Sequence, residues 1–164
     1  MDAQFFTNQV KRKERSLYRI AISYLHHDAD AADAVQDALL KAWEKRHTLQ
    51  QTDYFGTWLT RILINTCKAR LRRGVREVPL QETTAPTPAG SPPEDNILIQ
   101  DALFSLDIKY RLPLILHYLD GFPIKDVAKA LGIPQGTVKS RLSRGKMMMK
   151  HKLNDTEVFE DEAH

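Results

Sequence analysis

The sequence predicts an all-α protein: two small helical domains joined by a flexible proline-rich linker, the second domain containing a helix-turn-helix. Three observations carry this. Apolar residues recur at three- and four-residue spacing in both halves, no stretch alternates polar and apolar residues between turns as a strand does, and residues 77–96 hold Pro79, Pro86, Pro88, Pro92 and Pro93 among few large apolar groups. That last composition is the one of an extended, mobile connection. The expected divisions are therefore residues 1–76, 77–96 and 97–164. A chain of 164 residues that is 42% hydrophobic can bury one ordinary core or two small ones.

In the first domain, Leu17, Ile20, Ala21, Tyr24 and Leu25 mark one amphipathic helix. Val35, Leu39, Ala42 and Trp43 mark a second, and Phe55, Trp58, Leu59, Ile62 and Thr66 a third. In the second domain Leu112, Ile115, Leu116 and Leu119 form one apolar stripe, with Pro113 near the start of its helix or at a kink. "DGFP" breaks that helix. Ile124, Val127, Ala128 and Leu131 give a short one, Gly132 supplies a C-terminal cap, and Pro134 stands where the next helix begins.

That next helix lies in "IPQGTVKSRLSRGKMMMK". Val138, Leu142 and Met149 recur near the helical period, while Lys139, Ser140, Ser143 and Arg144 share a different face. A short striped helix, a turn with glycine and a second helix with a polar outward face is the pattern of a helix-turn-helix. The first helix would brace the second through Val127, Ala128 and Leu131 against Val138 and Leu142. Its outward cations could then neutralise phosphate, an arginine could pair with guanine, and Thr137 with the first-turn amides could hold a phosphate. A solvated basic face on a plain helical hairpin is the bland alternative. The Met147 to Met149 run reads as packing rather than as a thioether metal site.

Net charge is only +3, but it is unevenly spread. Arg61, Lys68, Arg70, Arg72, Arg73 and Arg76 form one acid-free segment, and Lys139, Arg141, Arg144, Lys146, Lys150 and Lys152 another. Within the first, Arg61, Asn65, Lys68 and Arg72 fall on one helical face, with Tyr54, Phe55 and Trp58 near it. Cations can track a backbone, asparagine can recognise a base edge, and aromatics can stack on unpaired bases. Asp30, Asp33 and Asp37, spaced i, i+3 and i+7 with Gln36 beside them, make an acidic stripe. Three readings of it stay open: a magnesium cluster, which lacks a second acidic motif; acids complementing a helix dipole; or a docking face for a basic protein.

Cys67 is the only cysteine, so no intrachain disulfide or multi-cysteine metal site can form, and it reads as a small core residue. The six histidines show no ligand spacing and no nucleophile-base arrangement with it. No catalytic site, cofactor, metal or small-molecule substrate is expected. Neither a signal peptide nor a membrane span is legible, which points to the cytoplasm.

The order of the pieces adds a resemblance. "DAVQDALLKAW", then "FGTWLTRILINTCKARLRR", then the linker, then "YRLPLILHYLDGFPIKDVAKALGIPQGTVKSRLSRGK" closely resembles the extracytoplasmic function group of bacterial sigma-70 family factors, from about Leu17 to Lys152. The resemblance implies a transcription initiation factor whose partners are core RNA polymerase, through its β′ coiled coil and β flap, and promoter DNA, both duplex and melted. It implies polymerase docking by Asp30, Asp33, Gln36 and Asp37. It assigns minus-10 melting and base capture to Arg61, Asn65, Lys68 and Arg72, with Leu49 to Asp53 in a specificity loop. It assigns minus-35 reading to Thr137, Lys139, Ser140, Arg141, Ser143 and Arg144. It further implies control by an anti-sigma factor, often membrane-anchored, so that the protein would sit on the nucleoid when active and at the inner membrane face when held. The sequence departs from the family at Asp107, where a proline commonly opens the helix, at Asp126, where glutamate is usual, and in the loop "TLQQTDY". The acidic tail "LNDTEVFEDEAH" is expected to be disordered. The rival reading is an ordinary helix-turn-helix regulator with a dimerisation or ligand domain in its first half, which would grip duplex DNA without polymerase.

Overall fold

The structure, a computed structural model, describes residues 1–74 and 94–162. Among these residues there are seven α-helices and no strand, in two compact units, the first built on the first three helices. Helix α1 is Ala3–Leu25, α2 Asp28–Glu44 and α3 Phe55–Arg72. The Asp2 carboxylate accepts a hydrogen bond from the Phe5 amide at 2.8 Å and so caps α1 well before its buried stripe begins. Phe5 and Phe6 in that first turn meet Phe55 edge-on at 6.1 and 5.7 Å, and Phe6 also meets Trp43 at 5.2 Å. This aromatic cluster is why α1 starts earlier than Leu17 suggested. The helix ends at His26, whose left-handed φ of 62° lets its N–H bond back to Ile22 O at 2.9 Å. Helix α2 begins two residues later, with Asp28 and Asp30 in its first turn, where carboxylates favour the amide end of the dipole.

The three helices pack mutually, and α2 does so with an unexpected edge. Its buried residues are Ala31, Ala34, Ala38 and Ala42, whereas Val35, Leu39 and Trp43 of the expected stripe are half-buried. Small side chains let the α2 backbone come close to both neighbours, so alanine occupies the tightest line and the larger apolar groups flank it. Helix α3 contributes Phe55, Leu59, Leu63, Ile64 and Cys67, with Trp58 and Ile62 at the margin. Burial pushes the Cys67 thiol up to about 12, against a pull downward from the Arg70 charge.

Four further helices follow: α4 is Glu94–Phe104, α5 Ile108–Leu114, α6 Ile124–Leu131 and α7 Gln135–Glu162, and the second unit takes in α4, α5, α7 and α6 as far as Val127. The expected linker at 77–96 lies outside the described residues as far as 93, and its last three residues are instead the first turn of α4. Asp107 caps α5 by accepting from the Lys109 amide at 3.1 Å. Arg111, only 4% exposed, donates to Phe104 O at 2.9 Å and Leu106 O at 2.8 Å and sits over the Phe104 ring. A buried cation thus satisfies the carbonyl end of α4 and ties it to α5.

After Pro113 the helix widens into a π turn over Ile115–Leu119, closed by Asp120 N bonding Ile115 O at 3.0 Å. The extra residue in that turn rotates the register. Leu112, Ile115 and Leu116 remain buried, but Leu119, expected on the same stripe, is 55% exposed. Gly121, at φ 76°, then reverses the chain, and Gly132, at φ 69°, closes α6 with its N–H on Ala128 O at 2.8 Å. Val127, Val138 and Leu142 are buried and Leu131 is half-buried. Helix α7 packs on α4 and α5 and comes so close to α5 that a Cβ added at Gly145 would meet Leu114 Cδ1 at 3.0 Å. Met149 is half-buried, but Met147 is 60% exposed and packs little. The expectation of a disordered tail is corrected: with no glycine or proline beyond Gly145, α7 runs on to Glu162.

Two predictions rest on the buried groups. Replacing Arg111 by methionine, which keeps bulk but orphans two carbonyls, should destabilise the fold by about 3 kcal/mol in chemical denaturation. The Cys67 thiol, its pKa raised from 9.0 to about 12, should add stability that is complete below pH 9.0 and fades as pH rises toward about 12. Thiol-reagent labelling at neutral pH should therefore proceed only as fast as the protein unfolds.

Candidate nucleic-acid interface

On α7, Lys139, Ser140, Ser143 and Arg144 are exposed, while Thr137 and Arg141 are half-buried. The helix is held by Val138 and Leu142 from within, so these polar groups are presented from a fixed rod. Ser140 Oγ donates to Thr137 O at 3.1 Å, which commits its proton to the helix and leaves its oxygen to accept from a ligand. The same face extends beyond the expected residues. Lys146 lies seven after Lys139 and sits over the half-exposed Tyr118 ring at 4.8 Å. His117, Tyr118, Ile124, Lys139, Ser143 and Lys146 are among the residues lining a cleft of about 440 Å³ beside it. The His117 Nδ1 donates to Phe122 O at 2.7 Å, since a carbonyl can only accept, and this fixes the ring against the turn. The charge spacing pointed to Lys146; nothing local pointed to Tyr118, because the π turn that swings it outward is not visible in apolar periodicity.

On α3 the expected face holds: Arg61, Asn65, Lys68 and Arg72 are all exposed, opposite the buried Leu59, Leu63 and Thr66. Of the aromatics near it, Phe55 is 1% exposed and belongs to the core, where it meets the half-buried Trp58 at 5.8 Å; Tyr54 is half-buried. The segment before α3 is two short 3₁₀ turns, Arg46–Thr48 and Thr52–Tyr54, with the half-buried Leu49 extended between them. Arg46 stiffens its start by donating to Trp43 O at 2.7 Å and stacking over the Trp43 ring at 4.0 Å.

The acidic stripe on α2 is not uniform. Asp33 and Gln36 are exposed, Asp30 is half-buried, and Asp37 Oδ2 accepts from Arg70 Nη2 at 2.6 Å. Lys41, one turn on, reaches Thr66 Oγ1 at 3.5 Å. Sequence spacing could not anticipate the Asp37 partner, which arrives from α3, 33 residues away. Among the described residues no three His, Cys, Asp or Glu side chains are grouped to hold a metal ion, and no helix is long and apolar enough to cross a membrane.

Comparison with known proteins matches residues 10–77 to the family model Sigma-70 region 2 and residues 97–149 to Sigma-70, region 4. The chain is 33% identical over 147 residues to the ECF RNA polymerase sigma factor SigM of Mycobacterium tuberculosis, covering 88% of this chain and 75% of that one. It is 28% identical over 171 residues to the ECF RNA polymerase sigma factor SigW of Bacillus subtilis, covering 94% and 91%. Among solved structures it is similar to the sigma factor RpoE of Bartonella quintana, in complex with the anti-sigma factor NepR. That likeness has a TM-score of 0.81 and 30% identity, and covers 93% of this chain and 98% of the other.

Because Lys68 and Arg72 are exposed on α3, replacing both by alanine should change unfolding free energy by less than about 0.5 kcal/mol each. The same double variant should bind polyanions more weakly, with a shallower salt dependence in a titration with single-stranded DNA.

Proposed function

The chain belongs to the sigma-70 family, in its extracytoplasmic function group, and from that premise we propose how its three polar faces divide the work of transcription initiation. It is an alternative initiation factor that binds core RNA polymerase and directs it to specific promoters. We assign residues 1–76 to docking and minus-10 melting, 97–164 to minus-35 reading, and 77–96 to the connection between them. The acidic flank of α2, Asp30, Asp33, Gln36 and Asp37, docks on the β′ coiled coil, and the second domain meets the β flap.

Melting would then be driven by binding energy alone. Arg61, Lys68 and Arg72 track the phosphates of the opening strand, and Asn65 offers both a donor and an acceptor to the edge of an unpaired base. The loop around Leu49 receives the flipped base. The contacts to unpaired bases exist only with the open strand, so they lower the cost of opening. On the duplex upstream, Arg144 pairs with a guanine edge, Lys139 and Arg141 hold phosphates, and Thr137, Ser140 and Ser143 complete the reading face. We assign the protein itself no catalytic role. Its anti-sigma partner would cover these faces and, where anchored, hold the protein at the membrane; the complex of the similar RpoE with NepR supports such control.

The observation that carries this reading is on α3. One side of that helix is buried in the core it shares with α1 and α2, and the other presents all four of Arg61, Asn65, Lys68 and Arg72 to solvent. Transcription from a promoter library by core polymerase plus this protein should give discrete start sites absent without it. Asn65→Ala should lower open-complex formation roughly tenfold with core affinity unchanged, and Arg144→Ala should weaken minus-35 discrimination by a similar factor. Tight duplex binding by the protein alone, with no need for core, would replace this reading by that of an ordinary helix-turn-helix regulator.

A further inference from the structure

Asp37 differs from the other acids of the α2 stripe in having a partner of its own. Its Oδ2 takes a 2.6 Å bond from Arg70 Nη2, yet its side chain keeps 47% of its surface, so the carboxylate is held without being covered. The other side of the bond is more enclosed. The Arg70 side chain is 25% exposed, and its Nε is buried with no hydrogen-bond partner. A guanidinium that gives up hydration at one nitrogen is restrained by its surroundings, and it passes that restraint to the carboxylate it binds. The two residues meet at a cleft of about 260 Å³ that is also lined by Lys41, Thr66 and Arg73. Helix α3 points Arg70 toward α2 and its base-contacting face the other way, since residues 61, 65, 68 and 72 lie opposite residue 70 on the helical wheel.

We propose that Arg70 is a positioning residue for polymerase docking: it fixes the Asp37 carboxylate in the orientation in which a cationic polymerase surface meets it. This rests on the docking role given to Asp37 above. Arg70 touches no partner itself. Its effect is to spare the docking surface the entropy of ordering a free aspartate, and to join the docking helix to the helix that opens DNA.

The test is the affinity of the full-length protein for core polymerase. Arg70→Ala should weaken it roughly fivefold and Arg70→Lys should recover most of the loss. Asp37→Ala should weaken it at least as much, and the Asp37→Ala, Arg70→Ala double variant should be no weaker than Asp37→Ala alone, because the arginine acts only through the carboxylate. Arg73→Ala, which lines the same cleft without bonding Asp37, should leave affinity unchanged. Circular dichroism separates loss of fold from loss of docking, and Arg70→Lys keeps the test open if the alanine variant unfolds. Unchanged or tighter binding by Arg70→Ala, or losses that simply add in the double variant, would overturn the proposal. Full affinity in Asp37→Ala would overturn instead the docking role on which it rests.

Discussion

The first unit depends on how closely α2 can approach its neighbours. Four alanines at 31, 34, 38 and 42 set that distance, and everything polar on the helix is placed by it. Because the inner edge carries no large side chain, the helix cannot turn to bury its acids or bring Val35 and Leu39 fully inside without losing close packing. The acids are therefore left on a flank, and Asp37 comes within a single hydrogen bond of α3. Thr66 and Cys67, small for core residues, continue the same tight line on α3.

In the second unit a comparable constraint acts from the opposite direction. Gly145 lets α7 lie against Leu114, and Arg111 joins α4 to α5 through backbone carbonyls, so α7 rests on a platform whose parts are individually pinned. An exposed face needs such a platform, since side chains that read bases must not have to find their positions at the moment of contact. The π turn adds to it by moving Tyr118 out beside Lys146, which widens the polar surface past the turn-and-helix segment itself.

What the sequence disclosed was whatever is written locally. Leu17 to Leu25, the turn at Gly132 and Pro134, and the four- and three-residue steps from Arg61 to Arg72 were legible because spacing or a backbone-special residue encodes them within a few positions. What it concealed was relational. Alanine carries so weak a hydropathic signal that only Ala42 of the inner edge of α2 was read, and the rest of the stripe was placed one step over, on Val35, Leu39 and Trp43. Arg111 is charged, and periodicity assigns charge to the surface. Leu119 was misplaced by one extra residue per turn, and the Asp37 to Arg70 bond spans 33 residues that no window covers. The family resemblance made up part of this gap by suggesting roles for the faces, but it could not say that Asp37 is held by the helix behind it.

The joint at His26 and His27 governs the order in which this unit can assemble. Two helices separated by so short a reversal meet with little loop-closure entropy, so α1 and α2 can pair as soon as both have formed. Their shared core is nevertheless unfinished at that moment, since α2 packs on α3 as well and α3 lies beyond two further turns. During synthesis α2 thus emerges before α3 and waits for its last support. Asp37 becomes a fixed carboxylate only when α3 has folded behind it, so the acidic flank of α2 and the basic face of α3 mature together.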